Sequence, residues 1–196
     1  MGMTGLLGGT FNPPHDGHLA LARGALDHFR LDRLVVTVAG QTPHKDVDVD
    51  AETRLRLAEA AFADLPRAEV SRLDIDRPQP AYSLDTVRWA RDLWGEIIFI
   101  VGADRFADFL EWHRPNEVLR YAKLGVATRP GVGEAELADV MAAVERPEQV
   151  EFFSIEPLPI SSSGIRARVA RGEPIDGLVP PDVVRLISHL GLYGEA

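Results

Sequence analysis

Gly8-Gly9-Thr10-Phe11-Asn12-Pro13-Pro14-His15-Asp16-Gly17-His18 is the stretch whose reading decides the fold. A short apolar run, Leu6-Leu7, precedes it. Leu19, Ala22, Leu26 and Phe29 follow at i, i+3, i+7 and i+10, the period of one helix face. The order is therefore strand, glycine-rich turn, helix. Glycine lets a backbone approach a ligand closely and take conformations that a Cβ forbids. The helix that follows aims free N–H groups and a partial positive charge back at the turn. This geometry suits phosphate. His15 and His18 stand three residues apart, where the phosphates of a ligand would lie, and Gly17 removes a side chain between them. Pro13 and Pro14 stiffen the approach. A plain tight turn with two surface histidines would not need the whole combination.

The 196 residues fit one domain, 1–196, with a C-terminal helical part from about residue 160 packed on it. With 45% hydrophobic and 26% charged residues, the chain can bury a core, and disorder is not expected. No apolar run approaches the roughly 20 residues that span a bilayer. Met1-Gly2-Met3-Thr4 shows no basic region ahead of an apolar segment, and Leu6 breaks the myristoylation pattern. The absence of cysteine excludes disulfides, thiolate metal sites and a cysteine nucleophile. A cytoplasmic protein is expected. A net charge of −9 argues against a general nucleic-acid partner, since such binders are usually basic. An acidic protein can still bind a phosphorylated ligand if its few cations converge on one cleft. Lys45, Arg129 and Arg166 are the cations to watch.

Apolar strands alternate with helical patterns, which predicts a Rossmann-like α/β fold with a doubly wound parallel sheet. Leu34 to Val38 reads as the second strand, apolar on both faces. It runs into Ala39-Gly40-Gln41-Thr42-Pro43-His44-Lys45, and ligands of open α/β sheets bind at such carboxyl ends. His44 and Lys45 either contact a phosphate or belong to a solvated loop. Asp50 is a good N-cap for a helix with a Leu55, Ala58, Phe62 stripe. Arg54 and Arg56 on that helix read as solvated. Val70 to Ile75 alternates like an edge strand. Ser83 reads as the N-cap of a helix carrying Val87, Ala90 and Trp94. The free N–H groups of that helix start are either simply capped or hold an anion such as a carboxylate. Trp89 and Trp94 read as packing residues.

Glu96 to Val101 is the most strand-like run and leads into Gly102-Ala103-Asp104. Gly102 permits close approach of a ligand. Asp104 either caps the next helix or accepts hydrogen bonds from ribose hydroxyls. Trp112, eight residues on, either stacks on a flat aromatic ring or belongs to the core. Lys123 to Thr128 is a further strand, closed by Arg129, which faces phosphate or solvent. Residues 134–145 read as a surface helix, and Val150 to Ile155 as the last strand. Ile160-Ser161-Ser162-Ser163-Gly164-Ile165-Arg166 opens a helix whose serines cap it and whose Arg166 lies on the first turn, within reach of phosphate. Gly172 ends that helix, and Pro180 to Leu190 makes the terminal one.

The first motif resembles the His-x-Gly-His motif of the nucleotidyltransferase superfamily, in wording most similar to the bacterial nicotinate-nucleotide adenylyltransferases. Ile-Ser-Ser-Ser-Gly-Ile-Arg resembles that superfamily's triphosphate-binding motif. The loop at Pro43-His44-Lys45, with Thr42 where the family has proline, Tyr82-Ser83 in place of Tyr-Thr, Gly102-x-Asp104 with Trp112 eight residues on, and the ending Gly191-Leu192-Tyr193 are also similar. The resemblance implies adenylyl transfer from ATP to nicotinate mononucleotide in NAD biosynthesis. It implies His15, His18, Lys45 and Arg166 as catalytic residues. Gly8, Gly9, Thr10, Phe11, Gly102, Asp104, Arg129, Ser162 and Ser163 join the histidines and Arg166 around ATP, the first four as backbone donors and a wall for the nucleotide. His44, Lys45, Tyr82, Ser83 and Trp112 would hold the second substrate. Magnesium would be bound mainly through the ATP phosphates, with no protein metal ligand. His113 stands where some relatives have tyrosine. Pantetheine-phosphate adenylyltransferase is the enzymatic alternative, a flavin or cytidylyl transferase a weaker one. A nucleotide-sensing binding protein is the alternative outside enzymes. A homo-oligomer stays open.

Overall fold

A computed structural model describes residues 2–41, 47, 49–77, 82–128, 134–156 and 158–194. Among them six strands form one parallel sheet: β1 (Thr4–Gly9), β2 (Arg33–Val38), β3 (Ala68–Ser71), β4 (Ile97–Gly102), β5 (Lys123–Thr128) and β6 (Val150–Ser154). Their order is β3-β2-β1-β4-β5-β6, and each neighbouring pair is parallel. The chain winds outward from β1 to β3, returns to β4 beside β1, and winds out the other way. The order thus reverses between β1 and β4, where a crevice opens at the carboxyl ends.

Alternation along each strand gives the sheet two apolar faces. Leu7, Val36 and Ile100 join one core, with α1 (Asp16–His28) and α2 (Ala51–Phe62). Leu6, Val35 and Phe99 join the other. That second face is covered by α3 (Ser83–Trp94), α4 (Ala103–Ala107), α5 (Pro115–Tyr121) and α6 (Glu134–Ala143). After β6 the chain returns to the first face with α7 (Ser162–Ala170) and α8 (Pro181–Leu190). Val183 and Ile187 of α8 are buried there, each burial stabilising by about 1.5–3 kcal/mol. The doubly wound arrangement expected from the strand and helix periods is the one observed.

Several local expectations shift. Asp50 does cap α2, accepting from the Thr53 N–H at 2.9 Å. The edge strand β3 stops at Ser71 because the chain turns there. Arg72 binds Glu52 and Asp76, and its carbonyl accepts from the Ile75 and Asp76 N–H groups. Tyr82, not Ser83, is the N-cap of α3. The Tyr82 N–H donates to the Asp85 carboxylate at 3.4 Å. Helix α6 is no mere surface helix, for Leu137 and Val140 are buried in the second core. Trp89 is not a packing residue: it is 47% exposed, with the Arg77 guanidinium over its ring.

Gly125 of β5 lies where a Cβ would come within 2.7 Å of the Phe29 ring and 2.9 Å of Ile100. Gly125→Val is expected to lower stability by about 1–3 kcal/mol through overpacking, read from the urea unfolding midpoint.

Candidate active site

Strand β1 delivers Gly8 and Gly9 to the crevice. Gly8 is exposed at the strand end, and a Cβ on Gly9 would strike the Phe11 ring at 2.7 Å. Phe11 adopts φ +51°, in the left-handed region, and its side chain is buried. Its ring meets Phe62 and His18 edge-on, at centroid distances of 5.8 and 5.0 Å. This corrects one expectation: the Phe11 ring is part of the core rather than an open wall for a nucleotide, because the left-handed turn directs it inward.

His15 is the N-cap of α1, with extended backbone at φ −150°. Its N–H donates to His18 Nδ1 at 3.2 Å. An accepting Nδ1 carries no proton, so neutral His18 holds its proton on Nε2. The two rings lie 3.8 Å apart. A Cβ at Gly17 would press on the His15 ring at 3.0 Å, which explains the glycine between the histidines. Burial lowers the His15 pKa from 6.5 to about 4. Burial, then the neighbouring His15, lowers His18 to about 3. Both imidazoles are therefore neutral near pH 7 and offer hydrogen bonds rather than charge.

The second motif lies against the first. Ser161 caps α7, accepting from the Gly164 N–H at 3.1 Å. Ser162 Oγ donates to the Pro13 carbonyl at 2.8 Å, so its hydroxyl is engaged. Ser163 Oγ lies 3.2 Å from Ser161 Oγ. Arg166 Nη1 donates to the Asn12 carbonyl at 2.8 Å, and Tyr193 Oη donates to Asn12 Oδ1 at 2.7 Å.

Across the crevice, a Cβ on Gly102 would meet nothing within 4 Å. Asp104 lies in the first turn of α4, yet the N-cap is Gly102 and no side-chain cap bond forms. Tyr82 stacks on His113, with ring centroids 4.4 Å apart and planes 27° apart. Trp112 meets Phe99 and Phe109 edge-on, and Arg105 stands over its ring at 5.5 Å. Its Nε1 is buried and has no hydrogen-bond partner among the described residues. The structure thus brings Gly8, Gly9, Thr10, His15, His18, Ser162, Ser163 and Arg166 together. His44, Lys45 and Arg129 lie outside the described residues.

The cytidylyltransferase-like family matches residues 6–168. A relative from Roseiflexus sp., named "Probable nicotinate-nucleotide adenylyltransferase", is 40% identical over 194 residues, covering 96% of each chain. One of the same name from Thermus thermophilus is 39% identical over 191 residues, covering 96% of this chain and 98% of its own. This chain belongs to the nicotinate-nucleotide adenylyltransferase family. The fold agrees with Plasmodium falciparum nicotinic acid mononucleotide adenylyltransferase complexed with NaAD. That match has a TM-score of 0.78 at 15% identity and covers 98% of both chains.

In this member of the family, Arg54 is the residue that sequence reasoning missed. Expected to be solvated, it is 2% exposed. Nε donates to the Val49 carbonyl at 3.1 Å, Nη1 to Thr10 at 2.9 Å and Ala39 at 2.7 Å, and Nη2 to Gly40 at 2.9 Å. It ties the first motif to the loop that leaves β2. Only its row was a signal, since Arg54, Ala58 and Ala61 share one flank of the buried stripe. Arg56 is exposed, as expected.

Two outcomes follow from these side chains. Arg54→Ala leaves four carbonyls without their donor and is expected to cost on the order of 3 kcal/mol, measured by urea unfolding. The unfolded chain protonates histidine near 6.5, whereas the folded chain holds His15 and His18 neutral to about 4 and about 3. Between those limits the unfolded state binds more protons, so stability rises with pH up to about 6.5 and gains nothing from these groups above it. His15→Gln with His18→Gln is expected to flatten that rise in unfolding measured from pH 4 to 7.5.

Proposed function

We propose that this chain joins ATP to nicotinate mononucleotide, forming nicotinate adenine dinucleotide and releasing pyrophosphate. The observation that carries the reading is the hydrogen bond from Arg166 on α7 to the Asn12 carbonyl. It packs the start of α7 against the loop that ends in His15 and His18. Two neutral imidazoles and one guanidinium are thereby held on neighbouring segments, beside the start of α7.

The reaction needs no protein nucleophile and no general base. A phosphate oxygen of the mononucleotide is already anionic. It forms a bond to the α-phosphorus of ATP, and the bond from that phosphorus to the bridging β-phosphate oxygen breaks. Pyrophosphate carries away the electron pair. Catalysis is then positioning and charge stabilisation. The Nε2–H of His18 donates to a phosphate oxygen as charge shifts from the attacking to the leaving group. His15, whose Nδ1 is buried without a partner among the described residues, is the second imidazole beside it. Arg166 supplies positive charge, with Lys45 and Arg129 from segments outside the described residues. Gly8, Gly9, Thr10 and the backbones of Phe11, Ser162 and Ser163 contribute N–H groups. Gly102 and Asp104 border the nucleoside.

Trp112 and His44 belong in this reading to the mononucleotide side, with Tyr82 and Ser83 at the start of α3. Backbone donors at a helix start favour a carboxylate over a carboxamide, which brings N–H groups of its own. Among the described residues no three His, Asp or Glu side chains converge as metal ligands. Magnesium would arrive on the ATP phosphates, and no step above runs through it. No described helix is long and apolar enough to cross a membrane.

Pyrophosphate release with ATP and magnesium is the test, run with nicotinate mononucleotide, nicotinamide mononucleotide or phosphopantetheine. Fast release with the first is expected. Release with phosphopantetheine alone would favour the pantetheine-phosphate enzyme, and ATP binding without release a sensor. His18→Ala is expected to lower kcat by about 100-fold or more while circular dichroism stays unchanged, and unaltered turnover would sink the mechanism.

A further inference from the structure

Behind the start of α3 lies a polar cluster that the mechanism does not use. Asp74, Arg77 and Thr86 are 6%, 6% and 5% exposed. Arg77 Nη2 donates both to the Asp74 carboxylate and to Thr86 Oγ1, the latter at 2.8 Å. Thr86 Oγ1 donates in turn to Asp74 Oδ1 at 2.8 Å. A hydroxyl has one proton to give. Here it has two acceptors in reach, the Asp74 carboxylate and the Tyr82 carbonyl at 3.3 Å. The charged and closer acceptor wins.

The location gives the cluster its meaning. Asp74 and Arg77 follow the edge strand β3, whereas Thr86 is one turn into α3. Arg77 and Tyr82 flank residues 78–81, and the cluster joins the first of these ends to α3 one turn beyond the second. Arg77 grips α3 a second time three residues on, where its guanidinium lies 5.1 Å from the centre of the Trp89 ring. Tyr82, the N-cap, stacks on His113, next to Trp112. Burying a charge pair commonly stabilises less than apolar packing of the same volume. Its directional bonds do what apolar packing cannot: they fix the azimuth and height of one helix start.

We infer that Asp74, Arg77 and Thr86 set the preference for an acidic over an amidated pyridine mononucleotide by fixing the N-terminus of α3. They are positioning residues, acting through the Tyr82 and Ser83 backbone. The inference rests on the proposed reading of that helix start as the carboxylate site.

The test compares KM and kcat for nicotinate and nicotinamide mononucleotide, by pyrophosphate release, in the full chain. The wild-type protein is expected to prefer the acid. A wild type that turns over neither, or both alike, overturns the carboxylate reading itself and this inference with it. Given that preference, Thr86→Val keeps the side-chain shape and removes the hydroxyl. KM for nicotinate mononucleotide is expected to rise about tenfold. KM for ATP and kcat stay within about twofold, and the acid-to-amide ratio falls. Thr86→Ser restores the ratio. An unchanged ratio, or a KM for ATP that rises in parallel, overturns the inference. Should thermal melting show Thr86→Val unfolded, Arg77→Lys is read by the same ratio, since it keeps the charge but loses the planar guanidinium whose Nη2 reaches Asp74 and Thr86.

Discussion

Carbonyl groups of the loop between Gly9 and His15 accept hydrogen bonds from side chains far along the chain. Arg54 donates to the Thr10 carbonyl and Arg166 to that of Asn12. Ser162 donates to Pro13. The carbonyls of this loop face the protein, and buried carbonyls need donors. Two of these donors are guanidiniums, so the bonds that order the loop also bring positive charge close to it. The same bonds thus hold the loop and place two cations against it.

Arg54 shows how far this coupling reaches. It binds carbonyls of the first motif, of the β2 end and of the residue before the α2 cap. Among the described residues no ion pair to a carboxylate is formed by it. Its charge is met by carbonyl dipoles, which solvate a cation without neutralising it. The far end of the chain adds Tyr193, which adopts φ +63° and whose hydroxyl reaches Asn12 Oδ1. Burial raises the Tyr193 pKa, so that hydroxyl stays protonated as a donor. The last helix therefore does more than cover the first face of the sheet: it places the residue that holds Asn12.

Charge is handled differently on the two sides of the crevice. On the α1 side the imidazoles are neutral and held by the N-cap geometry of that helix. On the α3 side the buried cation Arg77 is balanced by Asp74. The first arrangement leaves neutral hydrogen-bond donors at the start of α1, and the second anchors the start of α3 from behind through paired charges.

The sequence by itself determined the fold class, the place of the first motif between a strand and a helix, and the pairing of His15 with His18. These are local: they follow from periodicity, glycine geometry and the chemistry of a helix start. It also placed Asp50 as a cap, because that bond spans three residues. Tertiary structure alone decided that Arg54 is buried, that Phe11 turns inward, that Tyr82 and not Ser83 caps α3, and that Asp74, Arg77 and Thr86 form one cluster. An arginine on a helix reads as solvated unless carbonyls from other segments converge on it. Those carbonyls come from positions up to 44 residues away, and only the winding of the sheet brings them there.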